Sequence, residues 1–293
     1  MRGGWGGKRS VPDPDKGAPA ALSVSRRGRK HRFGLRVVAG LAITALAAGT
    51  LVAHAVVQAK LRARLIRVDP DTVAEDVRLR DVAVGVGEPA YQRHCATCHG
   101  VRMQGDRRRG APNLADQDWL YGEGRVAQIE RTILHGIRSG DPKAWNHAEM
   151  PAFAQPIPSG RYEVTPLTPA EIRDVVEYLL VNAGKPGDKA AAARGASVFA
   201  NKGRCSACHA NDGKGDAAIG APNLVDDIWL TGDGSREALF DIVARGSSGI
   251  CPAWIGQLDF GTIRALAVFV YLASHDRLPQ VASSDDTRSK PAK

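Results

Sequence analysis

Rings are scarce in this chain: Phe, Trp and Tyr together make up 5% of its 293 residues. That length allows two small domains plus an anchor. With so few aromatics, each core needs either many aliphatic contacts or a large flat body that is not protein. Sulfur is scarce as well. Methionine occurs three times, at Met1, Met103 and Met150, and cysteine five times, an odd number. A basic surface is missing from most of the chain. Residues 1–36 hold ten Lys or Arg against Asp13 and Asp15, a charge of +8, and Lys60, Arg62, Arg64 and Arg67 add four more. Subtracting these twelve from the net +9 leaves −3 for residues 68–293. The basic excess flanks one apolar segment and coats no globular face, so no nucleic-acid partner is expected.

That segment, Val37 to Val57, has 21 residues and no formal charge. As a helix it spans about 31 Å, the thickness of a bilayer's hydrocarbon core. With ten basic residues before it and four after, the positive-inside bias puts the N-terminus in the cytoplasm and the rest across a bacterial inner membrane, on the periplasmic side. Ala53-His54-Ala55 resembles a signal-peptidase site, but the long leader and long apolar run favour a retained single-pass anchor in contact with membrane lipid. Residues 1–36 read as a basic disordered leader and 58–84 as a juxtamembrane linker. The stretch from 279 to 293 reads as a disordered tail.

The remainder repeats. A shift of 110 residues lays Cys95 on Cys205, Gly110-Ala111-Pro112-Asn113-Leu114 on Gly220-Ala221-Pro222-Asn223-Leu224, and Trp119 on Trp229. The offset falls to 101 at Met150-Pro151-Ala152-Phe153 and Cys251-Pro252-Ala253-Trp254, then to 91 at Ile172-Arg173 and Ile263-Arg264. Two copies of one fold follow, at 85–182 and 192–278 with a linker at 183–191. Each copy predicts a short helix bearing Tyr91 or Phe199, a Pro-containing loop, a middle helix and a closing helix. The middle helices fall near 126–135 and 236–244. The first closing helix starts at Thr168-Pro169-Ala170-Glu171, an N-cap with Pro at N1 and Glu at N3.

The chemistry lies in Cys95-Ala96-Thr97-Cys98-His99 and Cys205-Ser206-Ala207-Cys208-His209. Cysteines three apart share a face of a helical turn, where their thiols can add to the two vinyl groups of one porphyrin, and the next histidine points at iron. Cys95, Cys98, Cys205 and Cys208 therefore predict two covalently bound haem c groups, with His99 and His209 as proximal ligands. Paired CxxC motifs also suit zinc, but the histidine after each second cysteine and the repeat favour haem. Met150 stands in a loop before the closing helix and is read as the sixth ligand of the His99 haem. His147 and His135 are the reserves. The second copy has Cys251 at that place, opposite His209, and three readings compete: thiolate ligation, a neutral thiol beside open iron, or substitution by a residue such as His275. Trp119 and Trp229 either pack on a haem edge or donate an indole N–H to a propionate. The Pro112 and Pro222 loops offer a backbone carbonyl to orient the proximal imidazole.

These segments, together with Thr132-Ile133-Leu134-His135-Gly136-Ile137-Arg138 and Asp226-Asp227-Ile228-Trp229-Leu230, resemble the dihaem cytochrome c subunit (CcoP or FixP type) of C-family, cbb-type haem–copper oxidases. The resemblance covers about residues 85–278. It implies an all-α chain, with an N-terminal transmembrane helix followed by two tandem class I cytochrome c domains. It also implies a non-catalytic subunit that takes electrons from a soluble cytochrome or a quinol–cytochrome c reductase and feeds an oxidase catalytic subunit. Cys251 departs from the family pattern, as does the leader, which lacks an aromatic, Pro-containing stretch. A free-standing dihaem carrier serving another dehydrogenase and a thiosulfate- or peroxide-active enzyme are the rival expectations.

Overall fold

The computed structural model describes residues 26–157 and 165–278, with side chains from residue 38 onward. The leader up to residue 25 and the tail from 279 lie outside the described residues. Among the described residues there is no strand, only isolated bridges between single residues, so the chain is all-α. It divides into two units, Met1–Val56 and Val57–Lys293.

The first unit consists of most of α1, Arg26–Leu65. Residues 26–36, expected to be disordered, are helical, because Arg and Lys are good helix formers and extend the apolar helix that follows. The stretch Val38–Leu65 is long and apolar enough to cross a membrane. Its large side chains are exposed, Leu46 at 71% and Leu51 at 70%, as a helix bathed in hydrocarbon would leave them.

In the second unit the expected juxtamembrane linker is core structure. After α1 comes a 3-10 helix, Pro70–Glu75, capped by Asp69, then α2, Val77–His94, whose Arg78 and Leu79 N–H groups donate to the Asp76 carboxylate. Leu65, Val73, Ala74, Leu79, Val82 and Ala83 from this stretch are all buried. Helices α3 (Ala96–His99) and α4 (Val126–His135) complete the first copy's opening half. Then follow α5 (Pro169–Asn182), closed by the Thr168/Glu171 capping box, and α6 (Lys189–Ser197), which runs into one π-helical turn, Val198–Lys202. Asp188 caps α6, so the linker after α5 ends at residue 188. Helices α7 (Ser206–His209), α8 (Arg236–Arg245) and α9 (Phe260–Ser274) finish the unit.

The two copies do not close on themselves. Helix α9, from the second copy, packs on α2 and α4 of the first, and α5, from the first, packs on α6 and α8 of the second. Two glycines mark the closest approaches. A Cβ on Gly87 of α2 would lie 2.5 Å from the Ala265 carbonyl oxygen of α9, and one on Gly195 of α6 would lie 1.9 Å from the Asp174 oxygen of α5. The aromatic four residues on is buried in both, Tyr91 in the cluster with Phe269 and Leu266, Phe199 in the cluster with Val175 and Leu179. Residues 85–182 and 192–278 are thus copies in sequence but not folding units in space. One half comprises 57–149 with 250–278, and the other is the continuous stretch 150–249, a copy whose closing segment comes first. The repeat offset reveals which residues are equivalent; it carries no information on which copy each closing segment joins.

Candidate haem-binding sites

Each CxxCH turn is closed internally by an i→i+4 hydrogen bond. The His99 N–H donates to the Cys95 carbonyl at 3.0 Å and the His209 N–H to the Cys205 carbonyl at 2.9 Å. In both copies the imidazole Nδ1 lies 3.0 Å from a proline carbonyl, Pro112 for His99 and Pro222 for His209. A carbonyl only accepts, so Nδ1 carries the proton and Nε2 keeps its lone pair for a metal. Burial pushes both imidazoles below their ordinary value, against a smaller upward effect of the carbonyl, and so favours the neutral ring that ligation needs.

The proline loops are fixed alike. Asp106 and Ala111 exchange backbone hydrogen bonds, as do Asp216 and Ala221, and the N–H of Leu114 or Leu224 closes the loop on Met103 or Gly213. Burial raises the Cys95 thiol to about 12, with Cys251 and Cys98 adding to the effect, and the Cys205 thiol to about 11. Cys98 is exposed at the protein surface and Cys208 half-buried.

The sixth-side residues are exchanged. Met150 lines a mostly apolar cleft with His209, Cys205 and Cys208, not with His99. It pairs with the second copy: its N–H donates to Ser247 O at 3.3 Å, the Ser247 N–H returns a bond at 3.0 Å, and the Phe153 N–H reaches Val243 O. Cys251 does the same at the first copy. Its N–H donates to Ile137 O at 3.0 Å, the Ile137 N–H returns one at 2.9 Å, and the Trp254 N–H reaches Ile133 O. Trp254 also sets its ring 5.0 Å from that of His94, beside Cys95. Burial raises the Cys251 thiol to about 11, and Cys98 is near enough to add to the effect. The expected pairs, Met150 with His99 and Cys251 with His209, are therefore replaced by Met150 with His209 and Cys251 with His99. Both follow from the exchange of closing segments.

The reserves are engaged elsewhere. His135 Nδ1 pairs with Asp141 at 3.1 Å, His147 is exposed beside Trp145, and His275 sits at the end of α9 against Tyr271. Met103 is buried in the first core.

The cleft at His209 fits a porphyrin on this structure's own features. Phe153, Val175, Leu179, Phe199, Leu239 and Val243 line it, and Trp229 forms part of the wall. The Trp229 indole N–H is buried with no acceptor among the described residues, an unmet donor of the kind a propionate carboxylate would satisfy. Trp119 is half-buried and packs against the first core.

Arg138 has no counterpart in the repeat, where Ser248 stands at its place. Its Nε donates to Gly249 O at 2.7 Å and its Nη1 to Ala148 O at 3.0 Å, with the Tyr121 hydroxyl at 3.4 Å. Those carbonyls lie two residues before Cys251 and Met150, so one guanidinium holds both exchanged loops. A left-handed backbone at Arg138, φ +48°, aims it there. Sequence reasoning gave this residue no role; its signals were its place at the end of the family-like segment Thr132 to Arg138 and a break in the repeat.

The cytochrome c family model matches residues 86–182, and the model of cytochrome c oxidase, cbb3-type, subunit III matches 190–270. The chain is 37% identical over 219 residues to the cbb3-type cytochrome c oxidase subunit CcoP of Cereibacter sphaeroides, which covers 75% of this chain and 71% of the relative. It is 40% identical over 200 residues to the FixP subunit of Bradyrhizobium sp. strain ORS 278, covering 68% and 64%. Against the FixP subunit of Azorhizobium caulinodans the figures are 38% over 210 residues, 71% and 66%. The chain thus spans about two thirds of the length of these relatives.

Proposed function

This chain belongs to the CcoP/FixP family of cbb3-type cytochrome c oxidase subunits, and on that premise we propose that it is a membrane-anchored dihaem cytochrome c. In this reading it passes electrons on the periplasmic side to the catalytic subunit of a haem–copper oxidase. A soluble cytochrome or a quinol–cytochrome c reductase supplies them. The observation that carries the reading is the matched pair of CxxCH turns, each with a neutral imidazole oriented by a proline carbonyl. Bound haem c supplies a one-electron ferric/ferrous couple at each site.

The chain's own residues do the rest. Cys95 and Cys98, and Cys205 and Cys208, tether; His99 and His209 ligate; the Pro112 and Pro222 carbonyls hold the rings. The Met150 thioether shares the cleft with His209, where as a ligand its soft sulfur would favour the reduced state and raise the potential. Cys251 stands beside the His99 site and would ligate there as thiolate, with ligation displacing the proton that burial otherwise holds on the sulfur, which would lower the potential. Trp229 offers its unmet N–H to a propionate, and the apolar cleft wall excludes water. The apolar helix at Val38–Leu65 supports anchoring, and the flanking charges support a cytoplasmic N-terminus.

The reading predicts two haem c per chain by pyridine haemochrome assay, one after Cys95→Ala/Cys98→Ala, and co-purification with a haem–copper catalytic subunit. A chain that carries haem but isolates alone from its native membrane would favour a free-standing carrier. For Cys251, magnetic circular dichroism of wild type and Cys251→Met decides. A wild type without a thiolate signature removes the ligand assignment.

A further inference from the structure

The two sites differ in charge at their exposed edge. Around the first CxxCH turn, the loop 101–109 carries Arg102, Arg107, Arg108 and Arg109 against Asp106 alone, a net +3. The matching loop of the second copy, 211–219, carries Lys214 against Asp212 and Asp216, a net −1. The four arginines stand where the second copy has Asp212, Ala217, Ala218 and Ile219, so the fold does not require them. All four are exposed in a region whose residues 68–293 are net acidic.

The patch is built onto the turn itself. Arg109 Nη1 donates to Thr97 O at 2.7 Å, and Thr97, Cys98, Arg107 and Arg108 share one surface hollow. Thr97 and Cys98 are exposed within it. Asp106 approaches Arg108 and Arg109 only at 3.6 and 3.5 Å, and Arg108 remains 93% exposed, so one carboxylate leaves most of the charge unanswered. Asp233, from the other half, is the further acid that feels Arg107. A concentrated positive rim on an acidic body, offset only in part by Asp106 and Asp233, is suited to steer and orient an oppositely charged partner.

We propose that this arginine rim is the docking surface for an acidic redox protein, which delivers electrons at the first-copy site. The inference rests on the haem reading of the CxxCH turns. In the step, one electron leaves the reduced partner, which is oxidised, and is accepted at the His99 site, which is reduced; no bond forms or breaks.

The test uses the full chain in detergent and one redox protein in two charge states: mitochondrial cytochrome c, cationic as isolated and anionic after succinylation of its lysines. Stopped-flow rates of oxidation of the pre-reduced full chain by the ferric probe, the same docked contact run downhill from a thiolate-lowered site, are measured against ionic strength for wild type and for Arg107→Ala/Arg108→Ala, which takes the second copy's own residues. The anionic probe is expected to react faster at low salt, with a rate that falls as salt rises. The double variant should lose about tenfold of that rate and most of its salt dependence. Equal rates with the two probes, a faster cationic probe, or a variant indistinguishable from wild type would each overturn the proposal. So would an effect of the variant confined to binding of phosphatidylglycerol vesicles, which would assign the arginines to lipid. A wild-type chain with no haem c absorbance would instead fail the reading beneath it.

Discussion

At the scale of single residues, the tethering and proximal groups were legible because their chemistry is local: two thiols and an imidazole within five positions specify the site wherever the chain goes. The sixth-side partners were not. Met150 and Cys251 could be recognised as equivalent, but equivalence fixes position within a copy, and the copies exchange that part. Arg138 ties the two loops together, so its effect should reach both sites. Arg138→Ala removes a charged donor from Ala148 O and Gly249 O, hydrogen bonds worth about 1.5–3 kcal/mol each when charge-assisted. It should loosen both loops at once, weakening the Met150 sulfur–iron absorption at one haem and shifting the spectrum of the other, with partial recovery in Arg138→Lys. A change at one haem only would place the guanidinium outside the role the geometry gives it.

At the scale of elements, the closing helix α5 was readable down to its first residue, since Thr168, Pro169 and Glu171 write a capping box into the sequence. The stretch 58–84 was not readable. Its buried residues fall on the end of one helix, a 3-10 turn and the start of another, so no single period runs through them. What locks that stretch is α9: Arg264 donates to the Leu65 and Val68 carbonyls at 3.0 Å and forks onto buried Glu130 of α4. The other half does without this pair, having Phe240 at the equivalent of Glu130 and an exposed Arg173. Glu130→Gln leaves the buried guanidinium without its countercharge and should destabilise by about 3–5 kcal/mol, read as a lower guanidinium midpoint by far-UV circular dichroism. Gly195→Ala is the matching test in the other half. Its Cβ cannot share space with the Asp174 carbonyl, so α5 and α6 must separate at a cost of about 1–3 kcal/mol, while the Met150 band reports whether the cleft opens with them.

At the scale of the molecule, exchange of closing segments turns a tandem array into a nested one. The stretch 150–249 contains its own Met150 loop, closing helix, opening helix, CxxCH turn and middle helix, and α5 packs on α6 and α8 without help from outside. The surrounding half is discontinuous and depends on α9 returning from the far end of the chain to cover α2 and α4. Two neighbouring crossings, at 148–150 and 247–251, join the halves, and they are bonded to each other through Met150 and Ser247. Such a pair of crossings gives a short physical route between the two ligand loops, and the Arg138 variants read at both haems test whether a shift at one is felt at the other. The nesting also makes a prediction that tandem domains would not. A fragment of residues 146–252, matured with haem, should fold alone, bind one haem c and show thioether ligation. A fragment of residues 85–182, which holds the second half of α2 and α3 to α5 but lacks α9, should bind haem without the Met150 signature and unfold at lower denaturant. The reverse pattern, with thioether ligation in 85–182 and none in 146–252, would mean that each copy closes on itself.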